Sequence, residues 1–388
     1  MRCPKKSLPP RRGFTLAEVL VASVVMLIVV LGTLAIYMRS HRIAVDQQRI
    51  ADLQHDVRTA MFFISRDIRS AGVGLVPEIS GYFLEGYDGF SPGNEAADSI
   101  KVMGNFDEPL ALRIRQYQGG VGGGAATAFL YDWELENAPY ECPDFYENRV
   151  ILIVSTTCPG CYAFRFIPRN AMHGCGQGAE HFNMQPGRSD LNPPGGLIDT
   201  GCGEECWDDA IVTFGQVKQY WLDTTGTPGD YPTIPSLDAE HGYLGIPYTL
   251  YLSTIDAQGE VVHYAIAQNI ENIQFQYNGD FNNDGVLDGF VDWDNSWTIQ
   301  PNDDDATRQS KWEIISAINQ VRVWVLGRTE ERMTGVSGSP PSNIYLYRRP
   351  PLANSPGATE DDMRRRVLLD STITIRNLVL NLYNLGTR

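Results

Sequence analysis

The first long pattern in the chain is almost wholly apolar. From Phe14 to Met38 it reads FTLAEVLVASVVMLIVVLGTLAIYM, 25 residues whose ionisable side chains are Glu18 and the weakly acidic Tyr37. As a helix it spans roughly 37 Å, enough to cross a bilayer core. After Arg39 the polarity changes but helical spacing persists. Ile43, Ile50, Leu53, Val57, Ala60, Ile64 and Ile68 recur at steps of three, four or seven, which marks one apolar face. No proline falls between Pro10 and Pro77, so the pattern predicts a nearly continuous helix from Phe14 to about Ala71, ended by Gly72, Gly74 and Pro77. Its 58 residues give roughly 87 Å. The first half belongs in lipid and the second half under a body, with Gly32 the point where the helix is weakest.

Beyond Gly74 the period changes to that of strands separated by loops rich in Gly, Pro and Asn. Strands are predicted at Ile100–Val102, Leu110–Tyr117, Ala128–Trp133, Val150–Ser155, Tyr162–Ile167, Ile211–Leu222 and Tyr248–Ile255. More follow at Val261–Ala267, Ile273–Tyr277, Val321–Gly327, Ile344–Tyr347 and Thr372–Leu382. Helical spacing returns for a turn or two near Trp312–Ile318. The expected class is α+β, with antiparallel sheets carried on an N-terminal helix. The glycine run 119–124 and several Pro-Gly turns set off residues 120–245 as an elaboration inserted into, or beside, a simpler sheet domain.

Charge changes the picture in two ways. The formal net charge is −16 over 388 residues, which argues against general binding to nucleic acid. Yet Arg2, Lys5, Lys6, Arg11 and Arg12 crowd the first 13 residues, which hold no acid. A basic head before the apolar stretch and an acidic body behind it place residues 1–12 in the cytoplasm and the body outside, by the positive-inside rule. The implied organisation is a basic head at 1–13, a membrane helix at 14–38, its amphipathic continuation at 39–75 and a β-rich extracytoplasmic domain at 76–388.

Apart from Cys3, the cysteines are confined to Cys142, Cys158, Cys161, Cys175, Cys202 and Cys206. An even set behind a membrane-targeting start reads as disulfides formed in an oxidising compartment, with the pairing left open. The CPGC at 158–161 has no surrounding βαβ pattern and is followed by Tyr162, so it is read as structural rather than as a redox pair or haem attachment. His173, Cys175 and His181 would be the alternative metal group, and are read as disulfide and surface residues. No G-x-S-x-G, phosphate-binding glycine loop or H-E-x-x-H occurs, and no enzymatic activity is expected.

Glu18 is the informative residue of the apolar stretch. A carboxylate in hydrocarbon costs on the order of 2–3 kcal/mol or more and normally has a partner. A cut between Gly13 and Phe14 would supply one, the new α-amino group of Phe14, either within one helix or between staggered helices. The phrase RRG followed by FTLAEVL, with Glu18 fifth after the cut, resembles a type IV prepilin. Further stretches resemble the PilW minor pilins of type IV pili: SRDIRSAGVG at 65–74, IENIQFQYNGDFNNDGVLDG at 270–289, INQVRVWVLGRT at 318–329 and RRRVLLDSTITIRNL at 364–378. The resemblance implies a pilin-like fold and cleavage by a prepilin peptidase that also N-methylates Phe14. It implies insertion in the bacterial inner membrane, then entry into a pilus through helix contacts with other minor pilins and the major pilin. It further implies a role in priming assembly near the tip, with a large tip adhesin as a candidate cargo. A J-type pseudopilin of a type II secretion system is the alternative within the same architecture, and a membrane-anchored binding or hydrolytic ectodomain the alternative outside it.

One further motif is chemical. Asp280, Asn282, Asp284, Gly285, Val286 and Asp288 read D-x-N-x-D-G-x-x-D, a spacing that wraps calcium with side-chain oxygens and the Val286 carbonyl. The twelfth position is Val291, so Asp292, or one of Asp303, Asp304 and Asp305, is expected to complete the shell. The reading adopted is a structural calcium loop; the competing one is an Asx-rich turn.

Overall fold

The structure is a computed structural model that describes residues 15–73, 83–92, 96–104, 111–119, 126–131, 149–158, 160–168, 171–173, 180–184, 192, 196–256, 258–300, 302–330 and 347–375. Its first element is the expected helix, α1 (Leu16–Arg69), 54 residues or about 81 Å long. Thr15 caps it, accepting from the Glu18 amide while Glu18 accepts from the Thr15 amide, so two otherwise unsatisfied donors find acceptors. At the other end the Ser70 amide returns to the carbonyls of Arg66 and Asp67, and Gly72 turns the chain at φ 73°. The Gly72 amide then reaches the Met103 carbonyl, tying the helix end to the body.

The body follows the α+β expectation, with strands β1 (Leu84–Tyr87), β2 (Ser99–Gly104), β3 (Ala111–Gln118), β4 (Ala126–Leu130), β5 (Arg149–Val154) and β6 (Tyr162–Ile167). Next come β7 (Met172–His173), β8 (His181–Met184), β9 (Ile211–Phe214), β10 (Gln216–Asp223), β11 (Thr249–Ile255), β12 (Val261–Ala267), β13 (Ile270–Gly279) and β14 (Val291–Asp292). A second helix, α2 (Asp305–Ala317), precedes β15 (Ile318–Arg328), β16 (Tyr347–Arg348), β17 (Asp361–Asp362) and β18 (Arg366–Thr374). The sheets are antiparallel, and two of them hold α1. One runs β1-β2-β10-β11-β12 and the other β14-β13-β15-β18. They meet at Asp98, whose amide donates to the Ile273 carbonyl and whose carboxylate accepts from Phe275 N at 2.9 Å. Alternation in β15 sends Val321, Val323 and Val325 into the core with Leu53, Val57, Ala60, Ile64 and Ile68 of α1, the period of two meeting the period of 3.6. On the opposite face Trp324 and Leu326 pack on Leu352.

The third sheet, β6-β5-β9-β3-β4-β8-β7, has its own core around Ile114, Ile153, Phe182 and Trp207. It lies entirely between β2 and β10, which are paired neighbours in the first sheet, Ile100 opposite Tyr220. The elaboration expected at 120–245 is therefore an insertion from β3 to β9. Strands β10 and β11, which the expected range includes or borders, belong to the helix-bearing core. The run Ile211–Leu222, expected as one strand, breaks at Gly215, where a side chain would meet Leu152 Cβ at 2.9 Å and the Phe164 ring at 3.0 Å. The turn or two expected near Trp312 is the 13-residue α2, capped by Asp304.

Candidate functional site

The N-terminal half of α1 stands clear of the body. Every large apolar side chain from Leu16 to Met38 is at least 42% exposed, against the full burial of Val57, Ala60 and Ile64 further along the same helix. Among the described residues this is the one helix long and apolar enough to cross a membrane. Its few polar groups are satisfied internally, as hydrocarbon requires. The hydroxyls of Ser23 and Thr33 donate to the carbonyls of Val19 and Val29. The Glu18 carboxylate accepts from Thr15 N and Thr15 Oγ1, each at 2.9 Å. Gly32 leaves the helix unbroken, and a side chain there would meet nothing. Gly13 and Phe14 lie outside the described residues.

The C-terminal half is seated by three features that periodicity alone does not reveal. Gly327 of β15 lets the helix approach closely, since a Cβ at that position would collide with Val57 Cγ2 and lie 2.7 Å from Leu53 Cδ1. Asn269 donates to Asp56 at 3.2 Å. Asp67, buried in the helix–sheet interface, accepts from Tyr220 OH at 2.6 Å and Arg66 Nε at 2.8 Å, with Lys218 Nζ 3.3 Å away. Burial alone would raise its pKa, but the hydrogen bonds from Arg66 and Tyr220 and the charge of Lys218 outweigh it and hold the carboxyl below the usual carboxylate range. Burial, with Asp67 alongside, pushes the Tyr220 phenol well up. The seat is thus an apolar stripe locked by one ionised carboxylate. Asp67 and Gly327 do fall in the two phrases SRDIRSAGVG and INQVRVWVLGRT, the signal by which they were accessible.

Four cysteines are paired, Cys158 with Cys206 and Cys161 with Cys202; Cys142 and Cys175 lie outside the described residues. His173 and His181 face one another across β7 and β8, ring centroids 5.3 Å apart, and the His181 ring lies tilted against Phe129 at 5.2 Å. They form a cross-strand ring ladder.

The 280–288 loop closes on its own acceptors. Asp280 accepts from the amides of Asp284 and Gly285, Asp284 from that of Val286, and Asp288 from Phe281 N and Asn282 Nδ2, at 2.7–2.9 Å. Gly285 turns the chain at φ 84°, as the motif requires at its sixth position. The residues expected to complete a cation shell are elsewhere engaged. Asp292 sits on β14 and accepts from Gln276 Nε2 at 2.8 Å. Asp303 pairs with Lys311, Asp304 caps α2 and Asp305 begins it. Among the described residues no group of three or more His, Cys, Asp or Glu is arranged to hold a metal. The loop as it stands is a network of Asx turns.

A family model described as Type IV Pilus-assembly protein W matches residues 239–377, and one described as Prokaryotic N-terminal methylation motif matches residues 8–34. The first covers β11 to β18 and α2; the second covers the start of α1 with Gly13, Phe14 and Glu18. The inserted third sheet lies outside both. No curated protein and no solved structure matches the chain.

Proposed function

Because the chain belongs to the PilW family of type IV minor pilins, we propose that it enters a pilus by its exposed apolar helix and helps to prime assembly near the tip. The observation that carries this reading is the division of α1. One half is exposed hydrocarbon of membrane-spanning length, and the other is locked into the body by Leu53, Val57, Ala60, Ile64 and Asp67. Such a subunit waits in the inner membrane, basic head in the cytoplasm and body outside. It leaves lipid only when other apolar helices replace the bilayer around its own. In this reading prepilin peptidase cuts between Gly13 and Phe14, methylates Phe14, and frees an amine that pairs with Glu18 of an adjoining subunit. The cut leaves that amine one residue before Thr15, beside which the Glu18 carboxylate already sits.

A bulky body with an inserted seven-stranded sheet supports a low-copy place at the tip, because repetition along a thin fibre would crowd it. Presentation of a large adhesin belongs to the same proposal. The test is deletion of the gene with complementation by wild type or Glu18→Ala, reading surface pili and the mass of the mature N-terminus. We expect few pili without the gene, no rescue by Glu18→Ala, and a terminus at methylated Phe14. Normal piliation in the deletion strain, restored protein secretion rather than restored pili on complementation, or a different terminus would each overturn it.

Calcium is a separate proposal. Its support is the alternation of Asp280, Asn282, Asp284 and Asp288 about Gly285, and its role would be to hold the loop, not to catalyse. Added calcium should raise the melting temperature of the protein and do so less for Asp284→Ala; equal behaviour of the two proteins rejects the site.

A further inference from the structure

The inserted sheet is joined to the helix-bearing core by chain at only two places, the 105–110 segment and Gly215 between β9 and β10. Among the described residues its other contacts with the core are non-covalent. Gly259 lies against the Phe166 ring, and a larger set runs through α2. On that helix Trp312, with Ile299 before it, packs on Leu152, Val154 and Ile211 of the inserted sheet. One turn earlier Arg308 enters the insertion and is almost fully buried. Its Nη1 donates to Cys202 Sγ at 3.0 Å, its Nη2 to the Thr200 carbonyl at 3.0 Å, and its Nε to the Asp303 carbonyl at 2.9 Å in its own segment. Gly160 of the CPGC loop lies flat on this residue, at φ 79°, where a Cβ would come within 2.7 Å of Arg308 Cβ. A buried guanidinium is costly without well-placed acceptors. One of these acceptors, Cys202 Sγ, is itself bonded to Cys161, and Thr200 lies two residues before it.

We infer that Arg308 and the Cys161–Cys202 bond form a latch that fixes the inserted sheet on the core only after that bond has been made. The step is thiol–disulfide exchange: one cysteine thiolate attacks a disulfide oxidant to form a mixed disulfide, and the second attacks the protein sulfur of that mixed disulfide, forming the Cys161–Cys202 bond and expelling the oxidant's thiolate. The two cysteines lose two electrons and two protons, and the oxidant leaves as a dithiol. In the reduced chain the two sulfurs cannot remain at bonding distance, the 200–202 segment separates from the CPGC loop, and Arg308 loses its seat. Cys161 is fully buried whereas Cys158 is only half-buried, so the Cys158–Cys206 bond is the outer, more accessible one, and the latch lies beneath it. The consequence is that the orientation of the insertion relative to α1 is set in the oxidising compartment, whether or not the chain enters a filament.

The test is hydrogen–deuterium exchange on the full chain in detergent micelles. Arg308→Met and the paired Cys161→Ala/Cys202→Ala variant should each raise exchange in 305–317 by about tenfold or more, with 53–68 changed by less than about twofold. Combining them should add nothing, and removing only the outer bond by Cys158→Ala/Cys206→Ala should leave 305–317 near wild type. Unchanged exchange in 305–317, additive effects, or equal loosening on loss of the outer bond would overturn the latch. Should the paired variant not fold, wild-type protein reduced stepwise with a phosphine and alkylated gives the same decision. Exchange in 305–317 should rise when Cys161–Cys202 is cut and not while only Cys158–Cys206 is open; a rise at the first step refutes the proposal.

Discussion

Gly327→Ala gives the sharpest reading of how α1 is seated, because the ordinary strand rule and the structure disagree in sign. Where space allows, replacing Gly by Ala stabilises by about 0.4–1 kcal/mol, since the unfolded chain has fewer conformations to lose. At 327 the new methyl would strike Val57 Cγ2, lie 2.7 Å from Leu53 Cδ1 and sit 3.3 Å from the Asn269 carbonyl. Leu53 can rotate its tip away. Val57 cannot, being fully buried and held to one rotamer by its helix, and the Asn269 carbonyl is fixed by Arg328 N. The helix must therefore lift or the core overpack, at about 1–3 kcal/mol. Val57→Ala removes two methyl groups, worth about 1.6 kcal/mol by transfer and more with the cavity left behind. In the double variant the methyl introduced at position 327 enters the vacated space, so the combined loss should fall short of the sum by about 1 kcal/mol or more. Thermal and urea unfolding of the full chain in detergent, followed by tryptophan fluorescence through Trp293 in the same core, measures all three. A neutral or more stable Gly327→Ala, or a strictly additive double variant, refutes the close approach.

Two further perturbations follow. Asp67 is held ionised in the fold below its ordinary value, so its contribution is present above the unfolded pKa of about 4 and is lost as the pH falls below that. Asp67→Asn should cost about 1–3 kcal/mol at neutral pH and show a shallower loss of stability below about pH 4; parallel acid profiles for the two proteins would exclude the role. Tyr243 donates to the fully buried Asp223 at 2.7 Å and pins the 224–247 loop over Trp221. Tyr243→Phe should cost about 1–3 kcal/mol and speed proteolysis within that loop, and unchanged cleavage there would count against the pin.

The elements whose causes are local were legible. The long helix could be read from a 3.6-residue stripe and an absence of proline, and the two family-model matches take in the prepilin phrase and the later stretches that carried the resemblance, whereas SRDIRSAGVG at 65–74 lies outside both. Partnership was not legible. Strands β10 and β11 look, residue by residue, like those of the inserted sheet, and only pairing of β10 with β2 assigns them to the core. Helix α2 was under-read because its buried stripe includes Arg308 beside Trp312 and Ile315, a charge that a hydrophobic pattern discounts. The surroundings of Asp292 were hidden for a related reason. Its place on β14 opposite Gln276 is set by strand pairing, whereas the spacing of Asp280 to Asp288 is a property of one loop.

By itself, then, the order of residues decided that this chain carries a membrane-length apolar helix with a lone acid near its start, an amphipathic continuation, and a β-rich body holding a cysteine cluster. Helix hydrogen bonds and strand alternation close within a few residues, so composition over a short window specifies them. Which sheet each strand joined, which glycine let the helix come close, and which cation could be buried against a disulfide were decided only on folding. Those outcomes depend on groups as far apart as Val57 and Gly327, or Cys202 and Arg308, which no local window contains.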